Sequence, residues 1–167
     1  MQIDYPIFSE SQKFRQWYVW LAVAIAPIIF VWAILQQVVL GVPFGTNPSG
    51  NVVLILLAVI FGIAFPFCLY RMGLDVQLSN EAIHMRFWPF HFKPRTFYFS
   101  DIDNVEPVTY SPLKDYGGWG IRYSTKGKAY NVSGDMGVLI KFSDGTNLLI
   151  GSQKHLDLAS VISNHLR

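Results

Sequence analysis

Charged residues are scarce in this chain. Asp, Glu, Lys and Arg make up 14% of its 167 residues, whereas soluble domains carry about 25%. The shortage is concentrated in residues 17–70, and residues 71–167 have the composition of an ordinary soluble domain. The 13 Lys and Arg are scattered, with no run of four or more. Because a nucleic-acid-binding surface needs a basic stripe, nucleic acid is not an expected partner.

Motifs of catalysis and metal binding are also missing. The one cysteine, Cys68, cannot form an internal disulfide or a thiolate cluster. No HExxH, GxSxG or P-loop pattern occurs, and no two histidines have the spacing of metal ligands. The sequence therefore predicts no catalytic residue, no metal site, no cofactor and no small-molecule substrate. The chain is not expected to be an enzyme.

Two uncharged apolar segments, residues 17–40 and 52–70, dominate the first half of the chain. At 1.5 Å per residue they form helices of about 36 and 28 Å, enough to cross a hydrocarbon core of about 30 Å. Residues 41–51, rich in Gly and Pro, predict a turn between them. We therefore expect a membrane-embedded helical hairpin, with the lipid bilayer as a partner.

The placement of Lys and Arg predicts the orientation of this hairpin. Lys13 and Arg15 precede the first segment and Arg71 follows the second, while the connecting turn has neither residue type. The positive-inside rule then places residues 1–16 and both termini in the cytoplasm and the turn outside the cell membrane. The segments carry no ionisable side chain apart from Cys68 and Tyr residues, which argues against an ion or proton path.

Residues 71–167 change to the alternating pattern of half-buried strands. Leu74, Val76 and Leu78 alternate with polar residues, and Asp144-Gly145 between two apolar runs predicts a hairpin. Leu158, Val161 and Ile162 have helical spacing, and Ser152 is the expected cap of that helix. The prediction is an α+β domain: a small antiparallel barrel or sandwich with a C-terminal capping helix. About seven strands are expected, at residues 74–79, 82–87, 96–99, 105–109, 119–124, 138–142 and 148–151.

Several phrases in this domain resemble one protein family. They are FSDIDNV at 99–105, GGWGIR at 117–122, KAYNV at 128–132 and LIGSQ at 149–153. Together with the preceding helical hairpin, they are similar to the bacterial membrane-anchored PH-like proteins, over roughly residues 74–166. The resemblance implies a PH-like fold for residues 71–167. It implies little about activity, because PH-like folds serve as adaptors for both lipids and proteins and fold does not fix function.

Residues 86–99 combine seven aromatic and three basic side chains. Only residues 71–73 separate the second apolar segment from the first predicted strand, so the domain is expected close to the bilayer. Aromatic and basic side chains suit an anionic interface. The favoured alternative is that these aromatics fill the small barrel, and a third interpretation is that a partner protein docks here. The candidate membrane or lipid contacts are Arg86, Trp88, Phe90, Lys93 and Arg95.

Trp119 and Arg122 are candidate contacts for a partner protein, because both residue types are frequent at binding hot spots. They can equally be a core tryptophan and a strand arginine.

The favoured function is a non-catalytic accessory or scaffolding subunit of a larger membrane complex, whether respiratory, photosynthetic, secretory or transporting. Its partners would be other integral membrane subunits packed against the hairpin. The alternative is a stand-alone membrane-surface module that binds anionic lipid or a cytoplasmic partner.

Overall fold

The computed structural model describes residues 6–166. The chain divides into two units, which we call the helix unit, Phe14–Arg71, and the sheet unit, Met1–Lys13 with Met72–Arg167. Residues 6–13, which precede the helices, therefore belong to the same unit as residues 72–166, which follow them. The sequence predicted residues 1–16 as a separate N-terminal segment, and it did not predict that some of them belong to the sheet unit.

The helix unit consists of two helices, α1 (Trp17–Val39) and α2 (Asn51–Arg71), both long and apolar enough to span a membrane. A wider π-helical turn occupies Leu35–Val39 in α1 and Ala58–Ala64 in α2. The second of these turns ends just before Pro66, whose ring lacks a donor and crowds the preceding turn. The sequence predicted both helices to within about two residues.

Close contacts hold α1 against α2. Ala33, Leu54 and Ala58 are buried, and the rings of Phe30 and Phe61 stack with centroids 6.4 Å apart. Most other apolar side chains of the two helices are exposed and the rest are half-buried within the chain. The helices therefore pack on each other through a narrow strip.

Gln36 and Gln37, near the end of α1, form hydrogen bonds with the turn that connects the helices. The Gln36 side-chain amide donates to the carbonyl of Pro43 at 3.0 Å. That of Gln37 donates to the carbonyl of Ser49 at 2.7 Å and to Asn51 Oδ1 at 2.9 Å. These polar residues therefore satisfy backbone groups of the turn.

Within residues 6–166, the sheet unit contains nine strands in two sheets. The first sheet has the order β1-β2-β3-β4 and the second β5-β8-β9-β7-β6. Short helices α3 (Pro112–Tyr116) and α4 (His155–His165) complete the unit. The strands are β1 (Phe8–Lys13), β2 (Gly73–Leu78), β3 (Ala82–Trp88), β4 (Arg95–Tyr98), β5 (Ile102–Thr109), β6 (Gly120–Ser124), β7 (Gly127–Asn131), β8 (Met136–Phe142) and β9 (Asn147–Gly151).

The core follows the predicted alternation. Leu74, Val76 and Leu78 of β2 are fully buried, as are Leu158 and Ile162 of α4, which packs on β5 and β8. The hairpin between β8 and β9 turns at Asp144-Gly145, as the sequence predicted.

Four expectations about this unit need correction. The described part of the chain has nine strands instead of about seven, because β1 and β7 were not predicted. Among the described residues the strands form two sheets and no closed barrel. The second sheet is mixed, since β7 runs parallel to β9. Ser152 does not cap α4: Lys154 is the N-cap residue, and the Ser152 hydroxyl instead donates to Glu10.

Candidate functional site

The connection between β3 and β4, residues 89–94, is held from its inner side by a histidine. We call it the aromatic loop. The His91 backbone N–H donates to the Phe87 carbonyl at 2.8 Å. In return the Phe87 N–H donates to His91 Nδ1 at 3.2 Å. The His91 ring is buried and meets the edge of Tyr130, with centroids 5.4 Å apart. The base of the loop is therefore fixed to the sheet unit.

The outer side of the aromatic loop is exposed. Phe92 is 95% exposed and Phe90 is 61% exposed. Lys93 and Arg95 are exposed beside them, and neither forms an ion pair with any residue from 6 to 166. Two phenylalanines and two unneutralised cations thus share one projecting surface.

The predicted contact Arg86 lies elsewhere. It stands on β3 and pairs with Asp75 of β2, with 3.1 Å between Nη2 and Oδ2. Asp75 also accepts a hydrogen bond from the Ser11 hydroxyl at 2.7 Å. Burial raises the pKa of Asp75, but the hydrogen bonds from Ser11 and Arg86 outweigh it and the net pKa is lowered. Arg86 therefore stabilises the first sheet.

The remaining predicted contacts fall in or beside the loop. Trp88 is half-buried at the end of β3. Phe90, Lys93 and Arg95 line one shallow cavity of about 460 Å³ at the aromatic loop. The structure thus brings these three together and leaves Arg86 outside.

A second cavity, which we call the sheet-edge groove, opens between β4 and the turns β6–β7 and β8–β9. Its volume is about 500 Å³. The Lys128 ammonium lies 4.8 Å from the ring centroids of both Tyr123 and Tyr130. Arg95, the first residue of β4, lines the same cavity, and none of the lining residues is acidic. The lining residues are Arg95, Phe97, Tyr123, Ser124, Thr125, Gly127, Lys128, Tyr130, Phe142, Gly145, Thr146, Asn147 and Leu148.

The electrostatic field of this region is positive. The pKa of His91 is lowered, first by burial and then by the charges of Arg95 and Lys128. A protonated imidazole is disfavoured near two cations. The charges of Arg95 and Lys128 therefore both lower the pKa of His91.

Trp119 and Arg122 are connected to each other. The Trp119 indole N–H donates to the Gly134 carbonyl at 3.1 Å. The Arg122 Nε–H donates to the Trp119 carbonyl at 3.0 Å. Trp119 is half-buried and Arg122 is exposed. Both residues hold the turn that precedes β6, and the arginine is the more exposed of the two.

A buried polar cluster that the sequence did not reveal joins β1 to the second sheet. Glu10 accepts from the Ser152 hydroxyl at 2.5 Å and from the Gln153 N–H at 2.8 Å. The Gln12 amide donates to the Gly151 carbonyl at 2.7 Å. The only hint in the sequence was the period-two spacing of Phe8, Glu10 and Gln12.

No three His, Cys, Asp or Glu side chains come together as metal ligands within residues 6–166. Models of protein families, curated proteins and solved structures were compared with the chain, and none matches it. The PH-like fold stays a prediction.

Proposed function

We propose that this chain is a non-catalytic, membrane-anchored interaction module whose aromatic loop binds the surface of an anionic bilayer. The observation that carries the proposal is the exposure of Phe90 and Phe92 beside Lys93 and Arg95. Phenylalanine side chains enter the boundary between headgroups and acyl chains, and each basic residue near an anionic surface contributes about 1 kcal/mol. An exposed aromatic cluster otherwise favours aggregation.

The helix unit supports the anchoring part of the proposal. The two helices expose apolar, uncharged surface on almost every side, and water is a poor solvent for such a surface. The strands that flank them, β1 and β2, pair antiparallel from Phe8–Leu78 to Lys13–Gly73. Neighbouring strands of one sheet must lie on the same side of a membrane. This pairing therefore supports two crossings, and the Lys and Arg distribution favours the cytoplasmic side for the sheet unit.

The test measures the depth of the loop in a bilayer. A spin label is attached at Phe92→Cys in a Cys68→Ala background, and the full chain is reconstituted in phosphatidylcholine nanodiscs with and without phosphatidylglycerol. With phosphatidylglycerol present, we expect the label to become accessible to oxygen and shielded from a water-soluble nickel complex. Lys93→Gln should reduce this shift, because it removes one of the attracting charges.

The matched control is a label at Asp135→Cys, an exposed position between β7 and β8. It should stay accessible to nickel in both lipid mixtures. If the label at position 92 behaves like the label at position 135, the membrane-surface role is rejected.

A second candidate is the accessory-subunit role that the sequence favoured. The observation in its favour is an apolar groove of about 340 Å³ along one face of α1, lined by Pro27, Ile28, Val31, Trp32 and Leu35. A helix of another membrane protein fits such a face. Purification of the tagged chain in mild detergent, followed by mass spectrometry, tests it. Recovery of the chain without stoichiometric partners would reject this role.

A further inference from the structure

We propose that the sheet-edge groove binds a phosphate monoester, held between the Arg95 guanidinium and the Lys128 ammonium. This inference deepens the proposed function and rests on it where the phosphate is supplied by a lipid. The groove volume of about 500 Å³ is within the usual range of small-ligand sites, about 300–1,000 Å³.

The two cations differ in how they are held. The Lys128 ammonium is fixed over the faces of Tyr123 and Tyr130, at 4.8 Å from each centroid, so little side-chain freedom remains to be lost when a ligand binds. Arg95 begins β4 and is exposed at the rim. Its planar guanidinium matches two phosphate oxygens at once. The Lys128 ammonium, held in place by two rings, and the Arg95 guanidinium, with its paired donors, thus line the same cavity.

The acidic residues of the sheet unit leave these two cations unneutralised. Three ion pairs are present among the described residues, and they engage Arg86, Lys126 and Lys141. Neither Arg95 nor Lys128 is in an ion pair within residues 6–166. Asp144 adjoins the groove in sequence, but its carboxylate accepts from the N–H and hydroxyl of Thr146.

The charge of the site indicates which anion fits. A phosphate monoester carries close to two negative charges at neutral pH, because its second pKa is near 6. A phosphodiester headgroup such as phosphatidylglycerol carries one. Two cations with the groove hydroxyls of Ser124 and Thr125 therefore favour the monoester. Phosphatidic acid presents this chemistry in a bilayer, and glycerol 3-phosphate presents it in water.

The test titrates the full chain in detergent and counts bound ligands by native mass spectrometry. The probes are phosphatidic acid, phosphatidylglycerol and glycerol 3-phosphate. We expect phosphatidic acid to bind about tenfold more tightly than phosphatidylglycerol. Lys128→Gln and Arg95→Gln should each weaken phosphatidic acid binding about tenfold, the usual effect of losing a charge-assisted hydrogen bond.

Two further variants make the result specific. Lys128→Arg keeps the charge and should retain most of the binding, while Lys114→Gln removes an exposed cation outside the groove lining and should bind as the wild type does. Because Arg95 is exposed, Arg95→Gln tests the groove even if Lys128→Gln fails to fold. Unchanged binding by folded Arg95→Gln or Lys128→Gln overturns the inference, as does an equal loss in Lys114→Gln.

The groove and the aromatic loop can fail separately. Insertion of the label at position 92 without groove-dependent phosphate binding rejects the groove and leaves the membrane-surface role. Groove-dependent binding of glycerol 3-phosphate without insertion rejects the membrane-surface role and supports the groove as a site for a soluble ligand.

Discussion

At the residue scale, Asp75 on β2 joins three strands of the first sheet. It accepts hydrogen bonds from Ser11 of β1 and Arg86 of β3. In the sequence, Arg86 is the first residue of the basic and aromatic segment 86–99, and it was therefore predicted to contact the membrane. Its partner Asp75 lies across the β2–β3 turn, and strand register decides that they meet. Within residues 6–166, Lys93 and Arg95 have no acidic partner of this kind, and both are exposed.

The lowered pKa of Asp75 predicts a pH dependence of stability. A carboxyl with a lower pKa in the folded state stabilises the fold above its unfolded pKa, near 3.8, and loses that contribution as the pH falls through the folded value. Asp75→Asn should therefore unfold at a lower temperature than the wild type near neutral pH. The difference should shrink as the pH falls below about 4.

The melting temperature of the full chain in detergent, followed by tryptophan fluorescence across this pH range, measures the effect. Glu81→Gln, which changes an exposed carboxylate in the β2–β3 turn, is the matched control and should have a smaller effect. A pH-independent gap between Asp75→Asn and the wild type would contradict the prediction.

At the element scale, strands whose inward positions are apolar were predicted closely from the sequence. β2, β3, β8 and β9 have this pattern, and each was predicted within about two residues. β1 turns Phe8, Glu10 and Gln12 inward, so two of its three buried residues are polar. Besides its pairing with β2, it is stabilised by side-chain hydrogen bonds to Ser152, Gln153 and Gly151. No hydrophobic pattern can reveal partners so far along the chain.

Glu10 is the residue of β1 whose substitution is expected to destabilise the strand most. Glu10→Ala leaves the Ser152 hydroxyl and the Gln153 N–H without their acceptor, and buried unpaired donors cost about 1–3 kcal/mol. We expect the free energy of unfolding in urea to fall by this amount. Ser9→Ala changes an exposed residue of the same strand and should shift it by less than about 0.5 kcal/mol. Equal effects of the two substitutions would show that Glu10 does not secure β1.

The sheet-edge groove is a second feature beyond prediction from sequence. Lys128 and Tyr130 lie on β7, which begins at Gly127 and has little alternation. This strand pairs parallel with β9, from Lys128–Leu148 to Tyr130–Ile150. β8 separates the two strands in sequence but does not lie between them in the sheet. Only that crossover brings Lys128 to the same cavity as Arg95 of β4.

At the scale of the whole molecule, the absence of charge was enough to predict both helices. Helical hydrogen bonds are local and an apolar segment of this length has few alternatives in lipid. What the sequence could not supply is the pairing of β1 with β2, which assigns the residues on both sides of the hairpin to one unit.

This connectivity predicts a topology that labelling can test. In cells that produce the Cys68→Ala chain, a membrane-impermeant maleimide should label Thr46→Cys, in the turn between α1 and α2, from outside. Asp135→Cys, in the sheet unit, should be labelled only after the membrane is opened. Labelling of position 135 in intact cells, or of position 46 only after opening, would contradict the predicted orientation.

The pairing of β1 with β2 also imposes an order on biosynthesis. β1 leaves the ribosome first, yet the strand it pairs with is translated only after both helices. Because domains begin to fold as they emerge, β1 must wait unpaired while the helical hairpin is made. The first sheet can therefore be completed only after the helices have been synthesised, and a fault in their formation would leave β1 free to pair with the wrong chain.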